Sequence, residues 1–273
     1  GEGDVNVIGE GSIKRSLQEA REDKDVKAIV LRVNSPGGSA LTSELIWREI
    51  EITKKVKPVV VSMGNYAASG GYYIAANADR IFAEPNTITG SIGVFGMLPN
   101  MNQLGKNIGI NAEQVKTHEN ASGHSVFEPM DENFKGFVLE SIEKTYATFL
   151  KRVADGRKMT TAQVDAIAQG RVWTGVDAHK LGLVDEIGGL DAAIKYAAKL
   201  GKTSSYRTEN FPEYEKSFED LLANFTGMAM FKTKEQLLKE QLGEEGFQML
   251  EQIKRVKSRK GIQAMMPYEL EIH

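Results

Sequence analysis

The sequence predicts an α/β fold built on a largely parallel sheet, and two observations carry this prediction. Short apolar, β-branched runs at 27–33, 57–63 and 79–85 have the length and composition of buried strands. Helical segments separate them, beginning with residues 40–56, where apolar side chains recur near helical spacing. Strands that alternate with helices favour parallel pairing, so we expect one α/β domain.

The later part of the chain extends this alternation and then changes character. We predict a long amphipathic helix that ends near Gly156, a helix with a threonine N-cap within 159–175, and a helix, short strand and helix over 175–201. From residue 202 the chain is polar and then charged and helix-prone. We therefore predict the α/β domain over 1–201, and a linker with a C-terminal helical extension, used for docking or oligomerisation, over 202–273.

Composition excludes several classes of function. The 273 residues carry a net charge of −3, so the chain lacks the excess of positive charge that is typical of nucleic-acid-binding proteins. The absence of cysteine excludes disulfides, thiol catalysis and thiolate metal sites. No pair of the four histidines has helical i, i+4 spacing, so we assign no metal site; they are His118, His124, His179 and His273. The chain opens "GEGDVNVIGE" without an initiator methionine, and we expect it to be part of a longer protein.

The stretch "VSMGNYAASGGYYIAANADR", residues 61–80, places one serine among small residues where a strand gives way to a helix. Gly64, Gly70 and Gly71 flank Ser69, and small residues let a backbone bend sharply and approach a ligand. Amide groups at the start of a helix stabilise developing negative charge. Acyl transfer requires a nucleophile beside such donors, so Ser69 is a candidate nucleophile.

A second glycine-rich turn, "SPGGS" at 35–39, also follows a predicted strand and opens a helix. Functional sites of parallel sheets gather where strands end and helices begin, so the two turns are expected to face each other and share one oxyanion. Either turn alone fits an ordinary tight turn or a close helix–sheet crossing. The pair, in this order, favours catalysis.

Three segments together resemble the signal peptide peptidase A (protease IV) family, serine peptidase family S49 of the Clp/crotonase superfamily. They are "LRVNSPGGS", "VVVSMGNYAASGGYYIAANADRIFAEPNTITGSIGVFG" and "IAQGRVWTGVDAHKLGLVDEIGGLDAAI", and the resemblance covers about residues 15–200. More narrowly, it looks like the C-terminal half of the long form, which contains two tandem copies of the domain. The implied fold is a Clp/crotonase-like superhelix of repeated β-β-α units with a largely parallel sheet. We expect its first strand to be missing from this chain. The sheet edge left unpaired would then be covered by the N-terminal part of the protein.

The resemblance also implies an activity and a set of roles. The family degrades cleaved signal peptides and other unfolded apolar segments without a metal or cofactor. Its members are membrane-anchored homo-oligomers, tetrameric in the long form, with this domain on the extracytoplasmic (periplasmic) side. Ser69 matches the nucleophile, Gly37, Gly38 and Gly70 match the oxyanion hole, and Ser91 matches the serine that orients a general-base lysine.

The general base is the element that this sequence does not supply. A lysine must be neutral to accept a proton, so its pKa must fall by roughly two to three units from about 10.4. Short family members carry this lysine in a run that resembles "IKSGxxKD". When "VKTHENAS" of this chain is laid on that run, Ala121 falls at the lysine position and Lys116 at an earlier, non-catalytic lysine. Lys106 and Lys135 flank the region without matching. The resemblance therefore implies that the N-terminal half of the same protein supplies the lysine, and that this chain carries half an active site.

Three alternatives remain open at this point. A crotonase-type acyl-CoA enzyme would share the fold and the oxyanion hole, but it does not need a serine at position 69. A non-catalytic assembly module would need neither Ser69 nor Ser91. A self-sufficient Ser/Lys protease would need a lysine of this chain close to Ser69. His118 and His124 are expected to lie in a polar loop and not to act as a base.

Overall fold

The computed structural model describes residues 3–4, 7–110, 112–113, 115–118, 125–128, 131–212 and 262–265. The predictions that concern Ala121, His124, His273 and most of the extension over 202–273 therefore fall outside the described residues. The chain divides into two compact units. All described residues up to Tyr206, together with 262–265, belong to the first unit, and the second spans Arg207–Lys260.

The helices and strands follow the predicted order. The strands are β1 (Gly3–Asp4), β2 (Val7–Ile8), β3 (Ile29–Ser35), β4 (Gly37–Ser39), β5 (Val59–Ala68), β6 (Arg80–Ala83), β7 (Ile88–Gly90), β8 (Phe95–Gly96), β9 (Val172–Thr174), β10 (Glu186–Ile187) and β11 (Ile262–Met265). The helices are α1 (Glu10–Glu22), α2 (Ala40–Lys54), α3 (Gly70–Ala75), α4 (Asn102–Asn107), α5 (Glu132–Arg157), α6 (Thr161–Ile167), α7 (Gly175–Lys180) and α8 (Leu190–Leu200).

The central sheet confirms the α/β prediction. Its order is β10-β6-β5-β7-β9, with β3 on the other edge of β5. The pairs β3–β5, β5–β6, β5–β7 and β6–β10 are parallel, and β7–β9 is antiparallel. The run Val59–Val61 of β5 is completely buried, as expected for a strand covered on both faces.

The long strand β5 determines where the candidate site lies. Its first half pairs with β6 and its second half with β7, so that Ala68 lies opposite Gly90. On the other side, Ser35 of β3 lies opposite Ala67 after a register shift. The residues that follow these strand ends, at 36–38, 69–71 and 91–93, are therefore brought to one end of the sheet.

The hydrophobic core fills the space between this sheet and the helices. Helix α2 buries Ile46, Trp47 and Ile50 in it, whereas Leu41 and Leu45 at the start of α2 remain exposed. Thr160 is the predicted N-cap and forms a complete capping box with Gln163 at the start of α6. Among the described residues, no helix combines the length and apolar character needed to cross a bilayer.

One segment differs from the predicted helical extension. Residues 262–265 form strand β11, which belongs to the first unit and pairs antiparallel with β4 and with β8. A strand forms here because the edges of β4 and β8 offer amide and carbonyl groups on both sides of the segment. The pairing with β4 links residues that are more than two hundred positions apart in the sequence.

Candidate active site

Ser69 lies at a sharp elbow between β5 and α3. It is the N-cap residue of α3, with φ 51° and ψ −114°, a conformation that non-glycine residues rarely adopt. Its N–H donates to the carbonyl oxygen of Gly90 at 2.8 Å, and its own carbonyl accepts from the N–H of Tyr73 at 2.8 Å. Ser69 is fully buried in the described fold. The elbow therefore holds Ser69 at the carboxyl end of the central strand, between β5 and α3.

The predicted lysine-orienting serine lies on the neighbouring strand end. Ser91 follows β7, has φ 46°, and donates its N–H to the carbonyl oxygen of Arg171 at 2.7 Å. Its side chain is 1% exposed. Because Ala68 pairs with Gly90, Ser69 and Ser91 start adjacent turns at the same end of the sheet.

The glycine turn at 37–38 packs against the start of α3. The amide nitrogen of Gly38 lies 3.1 Å from the point that a Cβ atom on Gly70 would occupy, so Gly38 and Gly70 are direct neighbours. Gly37 has φ 103°, which favours glycine, and its N–H donates to Oγ of Ser35 at 3.2 Å. The structure thus brings together all three predicted glycines, with the Gly37 amide already bonded inside its own turn.

The described lysines do not supply a base to this site. Lys106, Lys116 and Lys135 are exposed, and Lys135 is paired with Glu132 at 3.4 Å. Oγ of Ser69 donates to the carbonyl oxygen of Gly93 at 3.4 Å, and no ammonium group of the described residues bonds to it.

Of the histidines described, His118 is exposed and His179 lies 3.2 Å from the carbonyl oxygen of Val184.

Sequence reasoning missed two contributors to the site. The first is Gly93, whose carbonyl accepts the Ser69 hydroxyl; it lies in the quoted "TGSIGV" stretch, but no pattern there indicates this role. The second is β11, whose residue Ala264 is 1% exposed and pairs with Gly38. The run "IQAM" is short and apolar, which fits a strand, but carries no signal of its partner.

A polar network beneath the elbow fixes the helix that carries it. The hydroxyl of Tyr73, on α3, donates to the carboxylate of Glu44 on α2. The same carboxylate accepts two hydrogen bonds from Arg152 of α5, at 2.5 and 3.2 Å. The Arg152 guanidinium also lies 3.7 Å over the ring of Trp47. Burial, and then the neighbouring Glu44 carboxylate, raise the pKa of the Tyr73 phenol, so Tyr73 remains a neutral donor.

Comparisons with known proteins agree with this architecture. Residues 51–204 match the model of Peptidase family S49. The chain is 48% identical to "Protease 4" of Haemophilus influenzae over 73% of this chain and 32% of that protein. It is 38% identical to "Putative signal peptide peptidase SppA" of Enterococcus faecium over 68% of this chain and 54% of that protein.

A solved structure of a ClpP1 N165D mutant from Listeria monocytogenes is similar with 14% identity and a TM-score of 0.45, covering 68% of this chain and 86% of that one. The chain spans about a third of the Haemophilus relative that it matches. The family match covers more than half of the 273 residues, including the Ser69 elbow and Ser91. By this match, the chain belongs to peptidase family S49.

Proposed function

We propose that this chain is the nucleophile-bearing half of a serine peptidase. Oγ of Ser69 attacks the carbonyl carbon of a peptide bond, and the amides of Gly38 and Gly70 stabilise the resulting oxyanion. The amine product leaves, and water hydrolyses the acyl-enzyme to return Ser69. The observation that carries this proposal is the strained elbow of Ser69 beside the glycine turn. An arrangement that served only close helix–sheet packing would not need a serine held at positive φ.

The general base is proposed to be a lysine from an N-terminal copy of the domain. Two observations support this. The described lysines that flank the predicted position, Lys106 and Lys116, are exposed, and the hydrogen bond described for Oγ of Ser69 goes to the carbonyl oxygen of Gly93. The hydroxyl of Ser91, a residue that is only 1% exposed, lies at the strand end beside Ser69. This hydroxyl would receive and orient the incoming amine.

The proposed substrates are extended, apolar peptides, including cleaved signal peptides. The relative in Enterococcus faecium is named as a putative signal peptide peptidase, which supports this class.

We further propose membrane anchoring of the longer protein, an extracytoplasmic position for this domain, and assembly into a tetramer. Large apolar side chains are exposed within 97–110, which supports contact with another chain; they are Met97, Met101, Leu104, Ile108 and Ile110.

Hydrolysis of a fluorogenic apolar peptide tests the proposal. We expect no hydrolysis by this chain alone and hydrolysis by the protein that contains both copies. In that protein, Ser69→Ala should lower kcat by roughly 10³-fold or more. Ser91→Gly removes the hydroxyl but suits φ 46°, and it should lower kcat by roughly 10- to 100-fold and shift the pH profile. Ser141→Ala is the matched control, because the Ser141 hydroxyl donates to the Phe137 carbonyl within α5.

Two outcomes would contradict the proposal in different ways. Hydrolysis by this chain alone, abolished by Ser69→Ala, would show that the base lies within these residues and that the half-site assignment is wrong. Full activity of Ser69→Ala in the two-copy protein would remove Ser69 as the nucleophile. Circular dichroism of each variant separates loss of chemistry from loss of fold.

A further inference from the structure

Strand β11 lies in the middle of a three-stranded antiparallel sheet of order β4-β11-β8. On one side Gln263, Ala264 and Met265 pair with Ser39, Gly38 and Gly37. On the other side Ile262 and Gln263 pair with Gly96 and Phe95. Gln263 thus pairs on both sides, as the central residue of an added strand does.

Both neighbours of β11 belong to the candidate active site. Strand β4 is the glycine turn that contains Gly37 and Gly38, and β8 begins at Phe95, shortly after Ser91 and Gly93. An extended peptide that binds by strand addition would pair with just such exposed strand edges. The slot between β4 and β8 is therefore the expected binding groove for a peptide substrate of Ser69, and β11 fills it.

The carbonyl group of Ala264 reaches the glycines assigned to the oxyanion. Its oxygen lies 2.9 Å from the point that a Cβ on Gly70 would occupy, and the amide nitrogen of Gly38 lies 3.1 Å from that same point. Ala264 is 1% exposed, so its small side chain is enclosed. Ala264 therefore lies beside Gly38 and Gly70, the two residues whose amides are assigned to the oxyanion.

We propose that Ile262–Met265 is an autoinhibitory strand that occupies the peptide groove of Ser69 and must leave before a substrate binds. The inference rests on the proposed function, since it identifies the slot with the substrate groove. A strand that belongs to the same chain competes at a higher effective concentration than a separate peptide of the same sequence. Strand β11 pairs over four described residues, and an extended substrate that pairs over a longer stretch can displace it.

A disulfide across the sheet tests occupancy directly, because the chain contains no cysteine. In the two-copy protein, Ser39→Cys with Gln263→Cys joins register partners of β4 and β11. We expect a cross-link on oxidation, detected by mass spectrometry, and at least tenfold slower peptide hydrolysis that recovers when the same sample is reduced. Lys55→Cys with Gln263→Cys is the control pair, since Lys55 is exposed at the end of α2, and it should show neither effect.

Two results of the cross-linking experiment would overturn the proposal. If the cross-linked protein hydrolyses peptide as fast as the reduced one, β11 is a permanent wall of the groove. If no cross-link forms with the Ser39 partner, β11 does not occupy the slot.

A binding experiment separates this inference from the proposed function, since it needs no hydrolysis. In a Ser69→Ala background, a labelled peptide "RKGIQAMMPY", the sequence of residues 259–268, is titrated by fluorescence anisotropy. Truncation before residue 262, and separately Ala264→Trp, should each tighten binding at least fivefold by vacating the groove. Equal affinity in the parent and both variants would contradict the autoinhibitory strand. Tighter binding without hydrolysis in any two-copy protein would instead retain this inference and remove the peptidase assignment.

Discussion

The N–H of Ser69 donates to the carbonyl oxygen of Gly90 at 2.8 Å, and this bond fixes the elbow between β5 and α3. Together with the bond from the Tyr73 N–H to the Ser69 carbonyl, it holds Ser69 at φ 51° and ψ −114°. A non-glycine residue in such a conformation costs about 1–3 kcal/mol. The surrounding sheet and helix offset that cost, so the strain is local to the residue that we assign as nucleophile.

Replacing Ser69 with glycine should therefore relieve strain that replacement with alanine retains. We expect Ser69→Gly to be more stable than Ser69→Ala by about 1 kcal/mol, because glycine adopts positive φ freely but loses more entropy on folding. Urea unfolding midpoints measure the difference. The same pair of substitutions at Ser141, within helix α5, should give the reverse order by about 1 kcal/mol. An alanine variant that is the more stable one at both positions would show that the elbow is not strained.

Gly70→Ala should disrupt the junction between the two glycine turns. The new Cβ would lie 2.6 Å from Oγ of Ser43, 2.9 Å from the Ala264 carbonyl oxygen and 3.1 Å from the Gly38 amide nitrogen. Since two of these contacts are with backbone, we expect a loss of about 1–3 kcal/mol of unfolding free energy and a fall in kcat of at least 100-fold. Thermal unfolding and peptide hydrolysis by the two-copy protein measure the two effects.

Gly136→Ala is the matched control for this substitution. A Cβ at position 136 meets no atom within 4 Å, and Gly136 lies inside helix α5. It should stabilise the protein by about 0.5–1 kcal/mol without changing kcat. Equal behaviour of the two alanine variants would mean that the close approach of Gly70 to Gly38 does not exist in solution.

The parts of this site that could be predicted are those encoded locally. The strand ends at Ala68 and Gly90 follow apolar runs, and the glycines beside Ser69 mark the turn, so each is visible within a few residues of sequence. The partner of β11 was not predictable, because pairing of Ala264 with Gly38 depends on which edges the folded chain brings together. The role of the Gly93 carbonyl was missed for a similar reason, since any backbone carbonyl can accept a hydrogen bond.

The ion pair between Arg157 and Asp185 should make stability depend on acid pH. Two nitrogens of Arg157 lie 3.0 and 2.7 Å from the Asp185 oxygens, and Asp185 also accepts from the N–H of Ile81. Burial alone would raise the pKa of Asp185, but the hydrogen bonds and charge of Arg157 outweigh it and lower the pKa. The folded state then binds fewer protons than the unfolded state, so this stabilisation is complete above about pH 4 and is lost as pH falls through the lowered pKa.

Asp185→Asn removes the stabilisation by this ion pair and tests whether that stabilisation is lost as the pH falls. We expect a loss of about 2–4 kcal/mol at pH 7, since the side chains of Arg157 and Asp185 are only 8% and 20% exposed. The variant should also lose less stability than the parent between pH 5 and pH 3, measured by urea unfolding at each pH. Asp155→Asn, at an exposed pair with Lys151, should change stability by under about 0.5 kcal/mol. If the unfolding free energies of the parent and Asp185→Asn change with pH in parallel, the acid dependence does not come from Asp185.

Tyr72→Phe should weaken the anchor between α3 and the segment that leads into β10. The fully buried hydroxyl of Tyr72 donates to the carbonyl oxygen of Leu183 at 2.9 Å, so its removal leaves that carbonyl unpaired and should cost about 1–2 kcal/mol. Burial raises the pKa of the Tyr72 phenol, so its stabilisation is complete below about pH 10 and is lost as pH rises further. Urea unfolding from pH 8 to pH 11 should therefore show a smaller alkaline loss for Tyr72→Phe than for the parent. Tyr206→Phe, at a 47% exposed tyrosine, is the control for loss of a solvent-exposed hydroxyl, and equal alkaline losses for the parent and Tyr72→Phe would contradict the buried hydrogen bond.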